Sequence, residues 1–573
     1  MKPLFIFPIL LLFACLSFLP AQPLTMENIT ANLQQAIQTK LKGKNGEIVK
    51  KIYSETDNKP LWIGAENSEK MSTLIQALKD PLYNYKNKPF DQKSIKKLLY
   101  YLDNNSISIS KKAAVYARLD LLLTNSYVRL VRFITEGDVD WGLVQKKFKA
   151  LKESDDIQAT WEMKPHSFPP INPLVSSIKK GNIRSYMNSL LPMEKRYRKL
   201  VKLLKNYRRM EKFPKIPYSN RALKLGDSSS RVVQVKKRLQ ISGDYPAHAP
   251  LSRKFDETLR QAVMTYQKRY LLKVTGMVDK TMTWYLNQPA KKNIQAIITN
   301  LDKTKLYPKH FENEYIEVNV PDFNLRYYRD GEMIMKKGVV VGRIDRPTPI
   351  FDDKLEYMVI NPTWTIPDNL IKRDLIHVLR KNSDYLLENN IHVFQGKKEI
   401  EITQEMLDPY EHSDEKVPYR FVQFPGDNNA LGRIKFMFPN KYAVYLHDTD
   451  NKSLLDRRYK VYSSGCMRVE QPFELADLLL QHAKGNWNKE KIEEIIASDR
   501  PTTIRLKKAI PVHIVYFTVY EENGLAYFKH DIYLYDQIIY ESSAGHKKPT
   551  FTVPKKRMVT IKKQKANQKP LSN

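Results

Sequence analysis

Near Tyr315 the period of the apolar residues changes from helical to strand-like, and this switch constrains the fold more than any other feature of the chain. Upstream, "MSTLIQALKD" and "KKAAVYARLDLLLTNSYVRLVRFI" carry apolar residues at helical spacing, with charges on the opposite faces. A proline-rich break, "MKPHSFPPINP", precedes another amphipathic and very basic helix, "LPMEKRYRKLVKLLKNYRRMEKF". Its charged face suits solvent, a membrane surface or an acidic polymer. Downstream, "YIEVNVPDFNLRYYRDGEMIMKKGVVVG" alternates and turns at "RDGE", as an antiparallel hairpin does. "LEYMVINPTWTIP", "KYAVYLH" and "TTIRLKKAIPVHIVYFTVYEENGLAYFKHDIYLYD" are further strand candidates. A chain of 573 residues exceeds one core, and at about 150 residues per domain it holds three or four units. The fold class is multidomain α+β: a helical region over 22–215, a small three-helix unit over 220–290 and a mainly-β domain over 313–540.

Two segments interrupt the β texture. Residues 368–425 are helix- and loop-rich and too long for an ordinary strand connection, which predicts a capping element over a site. "QPFELADLLLQHA" is a helix with Pro472 at its start. In the 220–290 unit, Asp227 and its neighbouring serines can cap a helix through Val232, Val235 and Leu239. A second helix starts near Asp256 and buries Leu259, Val263 and Tyr266; Gly276 turns the chain into a third from Asp279.

The formal charge of +33, from 95 Lys+Arg against 62 Asp+Glu, favours anionic surroundings such as nucleic acid, acidic lipid or cell-wall polymer. The basic residues are spread along the chain, and P-loop, zinc and RNP motifs are absent, which argues against a nucleic-acid partner. From 541 to 573 the chain is rich in lysine and reads as a disordered tail that touches anionic wall or membrane polymer. Residues 1–21 have the shape of a secretory signal, with one early Lys and an apolar run short for a transmembrane helix. Cleavage after Ala21, lipidation at Cys15 and retention as a membrane anchor are all compatible with it. Export to the periplasm or cell envelope follows from each.

Export sharpens the question of Cys466. With the leader removed it has no partner in the chain, so it is buried and inert, paired with another molecule, or a reactive thiol. Alternation in "KYAVYLHDTD" puts Ala443, Tyr445 and His447 on one strand face and His447 at the strand end, a firm platform for a general base. Cys466 closes a second extended piece, "KVYSSGC". Gly465 lets the backbone approach a substrate and helps aim N–H groups at a developing oxyanion. Arg468 could hold a carboxylate or favour the thiolate. A Cys–His pair on adjacent strand ends suits acyl transfer. The sequence has no H-E-x-x-H and no clustered Cys/His ligands, so no metal or other cofactor is expected.

Taken together, "HDT…R…SSGCMRVE" resembles the L,D-transpeptidase (YkuD-type) catalytic signature, a His followed by Ser-His/Ser-Gly-Cys-x-Arg. "VVVGRIDRPTPIFDDKLEYMVINPTWTIP", "FPGDNNALGRIKFMFPNKYAVYLHDTD" and "LDLLLTNSYVRLVRFITEGDVD" resemble the large periplasmic members that carry a helical scaffold domain. Residues 220–290 resemble a peptidoglycan-binding domain, with Gln240, Gln267, Gly276, Asp279 and Thr281 at its pattern positions. The resemblance implies Cys466 as nucleophile and His447 as general base. Gly465, Ser464 and Arg468 would support the oxyanion and the loop, and Tyr445, Trp364 and Asp448 would lie on the substrate side. Ser464 stands where many members have a second histidine. The implied partner is peptidoglycan, as donor tetrapeptide stem and as acceptor stem, and the implied reaction a 3→3 crosslink through a cysteinyl thioester that carbapenems also form. Alternatives are a non-catalytic wall-binding protein, or the same thioester used to attach or detach an envelope protein.

Overall fold

The computed structural model describes residues 24–103, 109–155, 157–270 and 272–543. The leader with Cys15, and all of the basic tail beyond Ser543, lie outside the described residues. The chain divides into two compact units, one comprising residues to Thr135 plus Ser167–Leu191, the other Glu136–His166 plus everything from Pro192. The division does not follow the limit expected at 215: the helices Trp141–Asp155 and Glu194–Glu211 belong to the second unit.

The first unit is built on the long helix Ile109–Thr135, against which Met26–Lys40, Gly43–Ser54 and Gln92–Asp103 pack. Its polar hub is the buried Asp120. The carboxylate accepts the N–H groups of Leu61 and Trp62, at 2.9 and 2.7 Å, and the Tyr53 hydroxyl at 2.7 Å. A carboxylate so placed satisfies an irregular segment that has no ladder of its own.

In the second unit, residues 223–287 form the expected three helices around Val232, Val235, Leu239, Leu259, Val263 and Tyr266. Asp256 and Asp279 cap their helices as read from the sequence. Of the capping group Asp227 and its serines, Ser229 makes the cap, accepting from the Val232 N–H, while Asp227 accepts from Lys224 N–H and pairs with Arg221. Gln267 accepts from the N–H groups of Thr275 and Gly276 and donates to the Met277 carbonyl, so one side chain clamps the turn at Gly276, where φ is +68°.

A nine-stranded sheet follows, in the order Val461–Ser463, Glu332–Gly342, Met467–Val469, Leu446–His447, Ile434–Met437, Asp352–Ile360, Thr502–Val515, Glu314–Asn319, Asn324–Arg329. Asn324–Arg329 also pairs with Glu332–Gly342, so eight strands close a ring and leave no open edge among themselves. The core side chains of these strands are almost wholly buried.

Residues 368–425 are more ordered than a helix-and-loop excursion. They share a four-stranded antiparallel sheet with Trp364–Thr365, and Ile371, Ile376, Ile391, Val393 and Phe421 form a core of their own. Residues 541–543, read from the sequence as the start of the tail, are ordered: Tyr535–Glu541 is a helix, and Ser542 and Ser543 are buried, with Asp140 N–H bonded to the Ser542 carbonyl.

Candidate active site

Cys466 lies between the strand Val461–Ser463 and the strand Met467–Val469. Parallel pairing sets Leu446 beside Met467 and His447 beside Arg468, so residues 445, 447, 466 and 468 share one face of the sheet. Antiparallel pairing on the other side sets Lys435 beside His447. A lateral row Lys435, His447, Arg468 therefore crosses three strands, with Tyr445 and Cys466 in front of it.

The turn before Cys466 is tightly tied. Gly465 sits at φ +124°, in the region that L side chains rarely adopt. Its N–H donates to Ser463 Oγ at 3.2 Å, and its carbonyl accepts from Thr348 Oγ1 at 2.9 Å. Ser463 Oγ in turn donates to the Cys466 carbonyl at 2.5 Å. The Gly465 N–H, expected to serve an oxyanion, is thus occupied. The Cys466 N–H donates no hydrogen bond among the described residues.

Cys466 is half-buried, with Sγ 3.9 Å from the Ala443 carbonyl. Ala443 departs from the extended strand expected over "KYAVYLH": its φ is +52°, and only Leu446–His447 join the ladder. The Tyr445 ring meets the His447 ring edge-on, centroids 5.6 Å apart, and its hydroxyl interacts with Cys466 and with Trp364. Trp364 reaches the site from the sheet of the capping insertion.

Burial, above all, sets the charges. It pushes the Cys466 thiol up to about 11, against the smaller opposing effects of Tyr445 and Arg468. Burial lowers the His447 imidazole to about 3; Arg468 and, more weakly, Lys435 add to that, and the Asp448 backbone opposes it. At neutral pH the resting pair is therefore a thiol and a neutral imidazole. His447 Nδ1 is buried and, among the described residues, has no partner within hydrogen-bond geometry, the Asp448 main chain being the group that favours its protonated form.

Asp448 itself does not face the substrate side. Its carboxylate accepts the Arg433 N–H at 2.9 Å and lies against Gly432, where an added Cβ would fall 2.4 Å from Oδ2. Arg468 donates to Thr449 Oγ1 at 3.3 Å. Ser464 is exposed, and its hydroxyl accepts from Arg346 Nη1 at 3.1 Å. The same guanidinium makes a two-pronged ion pair with Asp374 of the capping insertion. Sequence reasoning passed over Lys435, Arg346, Asp374, Thr348 and Ser463. Only Ser463 had a local signal, as a hydroxyl two residues before a turn glycine.

No group of three or more His, Cys, Asp or Glu that could hold a metal occurs among the described residues, and no described helix is long and apolar enough to cross a membrane.

Comparisons with known proteins bear on three segments. Residues 313–506 match the L,D-transpeptidase catalytic domain (YkuD) family, residues 47–204 a scaffold domain, and residues 228–283 the family described as "Putative peptidoglycan binding domain". A curated relative, the "Putative L,D-transpeptidase" of Haemophilus influenzae, is 35% identical over 261 residues, which cover 45% of this chain and 52% of the relative. The chain thus matches about half the length of that relative. Solved structures are more distant. An L,D-transpeptidase of Xylanimonas cellulosilytica is 13% identical with a TM-score of 0.17, covering 52% of this chain and 100% of that one. Another from Stackebrandtia nassauensis is 11% identical with a TM-score of 0.19, covering 52% and 97%. The chain carries a scaffold domain, a peptidoglycan-binding domain and an L,D-transpeptidase catalytic domain of the YkuD family.

Proposed function

We propose that this chain is an L,D-transpeptidase that forms 3→3 crosslinks in peptidoglycan through a thioester on Cys466. The observation that carries the reading is the shared sheet face: Cys466 and His447 stand on one face of neighbouring strands, beside a Cys466 N–H that donates to no backbone carbonyl among the described residues. Peptidoglycan is held by the unit at 220–290, and the scaffold domain at 22–215 and the catalytic domain at 313–540 act in the envelope after export through the leader at 1–21.

Because thiol and imidazole both rest neutral, proton transfer accompanies attack and does not precede it. Cys466 Sγ bonds to the carbonyl carbon of the third stem residue while His447 takes the thiol proton. The Cys466 N–H donates to the oxyanion that forms. The bond to the terminal D-alanine then breaks, and its amine leaves with the proton from His447. The side-chain amine of a second stem attacks the thioester and gives its proton to His447. The thiolate departs and recovers that proton.

Intact-mass spectrometry after incubation with a disaccharide-tetrapeptide or a carbapenem tests this. The expected result is an adduct on wild type that maps to Cys466 and is absent from Cys466→Ala, with crosslinked dimer when the tetrapeptide is present. Folded wild type that neither ligand acylates would leave a wall-binding protein. An acyl-enzyme that gives no crosslinked dimer points instead to attachment or release of an envelope protein.

A further inference from the structure

Two cations flank the nucleophile without counter-ions. Lys435 Nζ is half-buried, donates to the Thr363 carbonyl at 3.3 Å and lies 5.9 Å from the centroid of the Tyr445 ring. Arg468, also half-buried, has among the described residues only the Thr449 hydroxyl as hydrogen-bond partner, and its Nε is buried and unbonded there. Among the described residues no carboxylate oxygen comes within the 4.0 Å of an ion pair with either; the charge of Asp450 acts on Arg468 from farther away. Buried Lys303 and Arg346 of the same unit, by contrast, are neutralised by Asp536 and Asp374. Partly buried charge left unpaired costs free energy that an incoming anion would recover.

The register makes the placement specific. Lys435 and Arg468 stand on either side of His447, and both act electrostatically on Cys466. An anion between them would therefore lie close to the bond being cut. In the donor described above, the anion nearest the scissile bond is the α-carboxylate of the departing residue, one Cα away from the departing nitrogen. A stem extended by a further residue presents a neutral amide at that point.

We propose that Lys435, together with Arg468, is a receptor for the terminal α-carboxylate of the donor, and that Lys435 thereby selects stems that end one residue beyond the scissile bond. This rests on the transpeptidase reading. Lys435 also acts electrostatically on Cys466, so the receptor and the nucleophile share one field.

Two measurements on the full-length protein separate this proposal from the reading beneath it. The first compares Cys466 acylation by a disaccharide-tetrapeptide with acylation by its C-terminal carboxamide. Wild type should favour the acid by roughly tenfold or more, the worth of one charge-assisted hydrogen bond. Lys435→Met should bring the ratio towards one, and Lys435→Arg should restore part of it. The second measures the ratio of Cys466 alkylation rates by iodoacetate and by neutral iodoacetamide, which needs no peptidoglycan chemistry. That ratio should fall roughly threefold or more in Lys435→Met. A wild-type acid/amide ratio near one, or an unmoved ratio in Lys435→Met, overturns the receptor and leaves the transpeptidase standing. If no tetrapeptide acylates the wild type but the iodoacetate ratio falls, the transpeptidase reading fails and the anion receptor survives. Since the acid/amide comparison is made on wild type, a Lys435→Met protein that fails to fold still leaves the proposal open to refutation.

Discussion

Thr348 is the residue on which the geometry of the nucleophile's turn depends most directly. It is fully buried, and its hydroxyl accepts the Gly342 N–H and donates to the Gly465 carbonyl, both at 2.9 Å. The same short segment is anchored from behind, because Thr348 N–H donates to the Tyr533 hydroxyl, which donates to the Gly342 carbonyl at 2.6 Å. Thr348→Val keeps the branched shape and removes both hydroxyl bonds, leaving one N–H and one carbonyl buried without partners. Each such orphan costs about 1–3 kcal/mol, so the variant should lose about 2–6 kcal/mol. Against a typical total of about 5–15 kcal/mol the protein stays folded. Urea unfolding followed by far-UV circular dichroism reads the loss, and intact-mass kinetics of Cys466 acylation reads the displacement of the turn, expected as a fall of at least about tenfold. Thr348→Ser keeps the hydroxyl and loses one methyl, about 1 kcal/mol, and should retain most of the acylation rate. A Val variant within about 0.5 kcal/mol of wild type, acylating at the wild-type rate, would refute the claim that these two bonds hold the turn.

Three further perturbations test other parts of the structure. Gly465→Ala introduces a Cβ only 3.5 Å from Val444 Cγ1, an ordinary contact, so its cost is the backbone at φ +124°, about 1–3 kcal/mol. It should slow acylation while the melting temperature drops only modestly, and an unchanged rate would remove the need for glycine there. Alkylation of Cys466 in the free protein should keep rising with pH beyond 9, since burial holds the thiol near 11; a plateau below pH 9 would show a thiolate already stabilised at rest. In the helical unit, burial raises the Asp120 carboxyl from 3.8 to about 6. The folded state then binds the proton more tightly than the unfolded chain, so this group's stabilisation is full below 3.8 and lost as pH rises through 6. The difference in unfolding free energy between wild type and Asp120→Asn should shift by up to about 3 kcal/mol between pH 4 and 7, and a flat difference would reject the shift.

What could be read from the sequence divides along the line between local and non-local pairing. The three helices over 223–287 were legible because their caps and turn residues are neighbours in the chain, as Asp256 with Leu259 and Asp279 with Met282. For the first cap the sequence narrows the choice only to Asp227 and its serines, because several capping types stand together, and Ser229 takes the role. The common face of Tyr445 and His447 was legible from parity alone, although Ala443 breaks the strand just before it. Parity also explains the misreading of Asp448. Adjacent to His447 in sequence, it points to the opposite side and bonds the Arg433 N–H there. Lys435 was out of reach, because alternation in "IKFM" does not say which strand becomes its neighbour. Arg346 and Asp374 meet only because a folded insertion with its own core packs over the loop that carries Arg346.

The peptidoglycan-binding domain is joined to the catalytic domain by more than a linker. The hairpin formed by Val519–Glu522 and Leu525–Phe528 leaves the strand Thr502–Val515 and reaches the three-helix unit. Arg269 of that unit pairs with Asp244, both side chains almost wholly buried, and donates to the Ala526 carbonyl at 2.5 Å. Gly243 stands where an added Cβ would fall 2.8 Å from the Gly524 carbonyl, so main chain approaches main chain across the junction. The basic helix Glu194–Glu211 closes the same junction, with Tyr207 edge-on to Phe528 and Lys199 paired with Glu521. One lysine and one tyrosine of that helix thus serve the junction, while Lys195, Lys202, Lys205 and Arg209 stay exposed, as the solvated face read from the sequence requires. The Arg269 bond to the Ala526 carbonyl and the Tyr207–Phe528 contact along one hairpin resist hinge motion, because opening the junction leaves that carbonyl unsatisfied and exposes the rings. If the small domain holds wall polymer as proposed above, this junction would bring it to the catalytic domain from one direction.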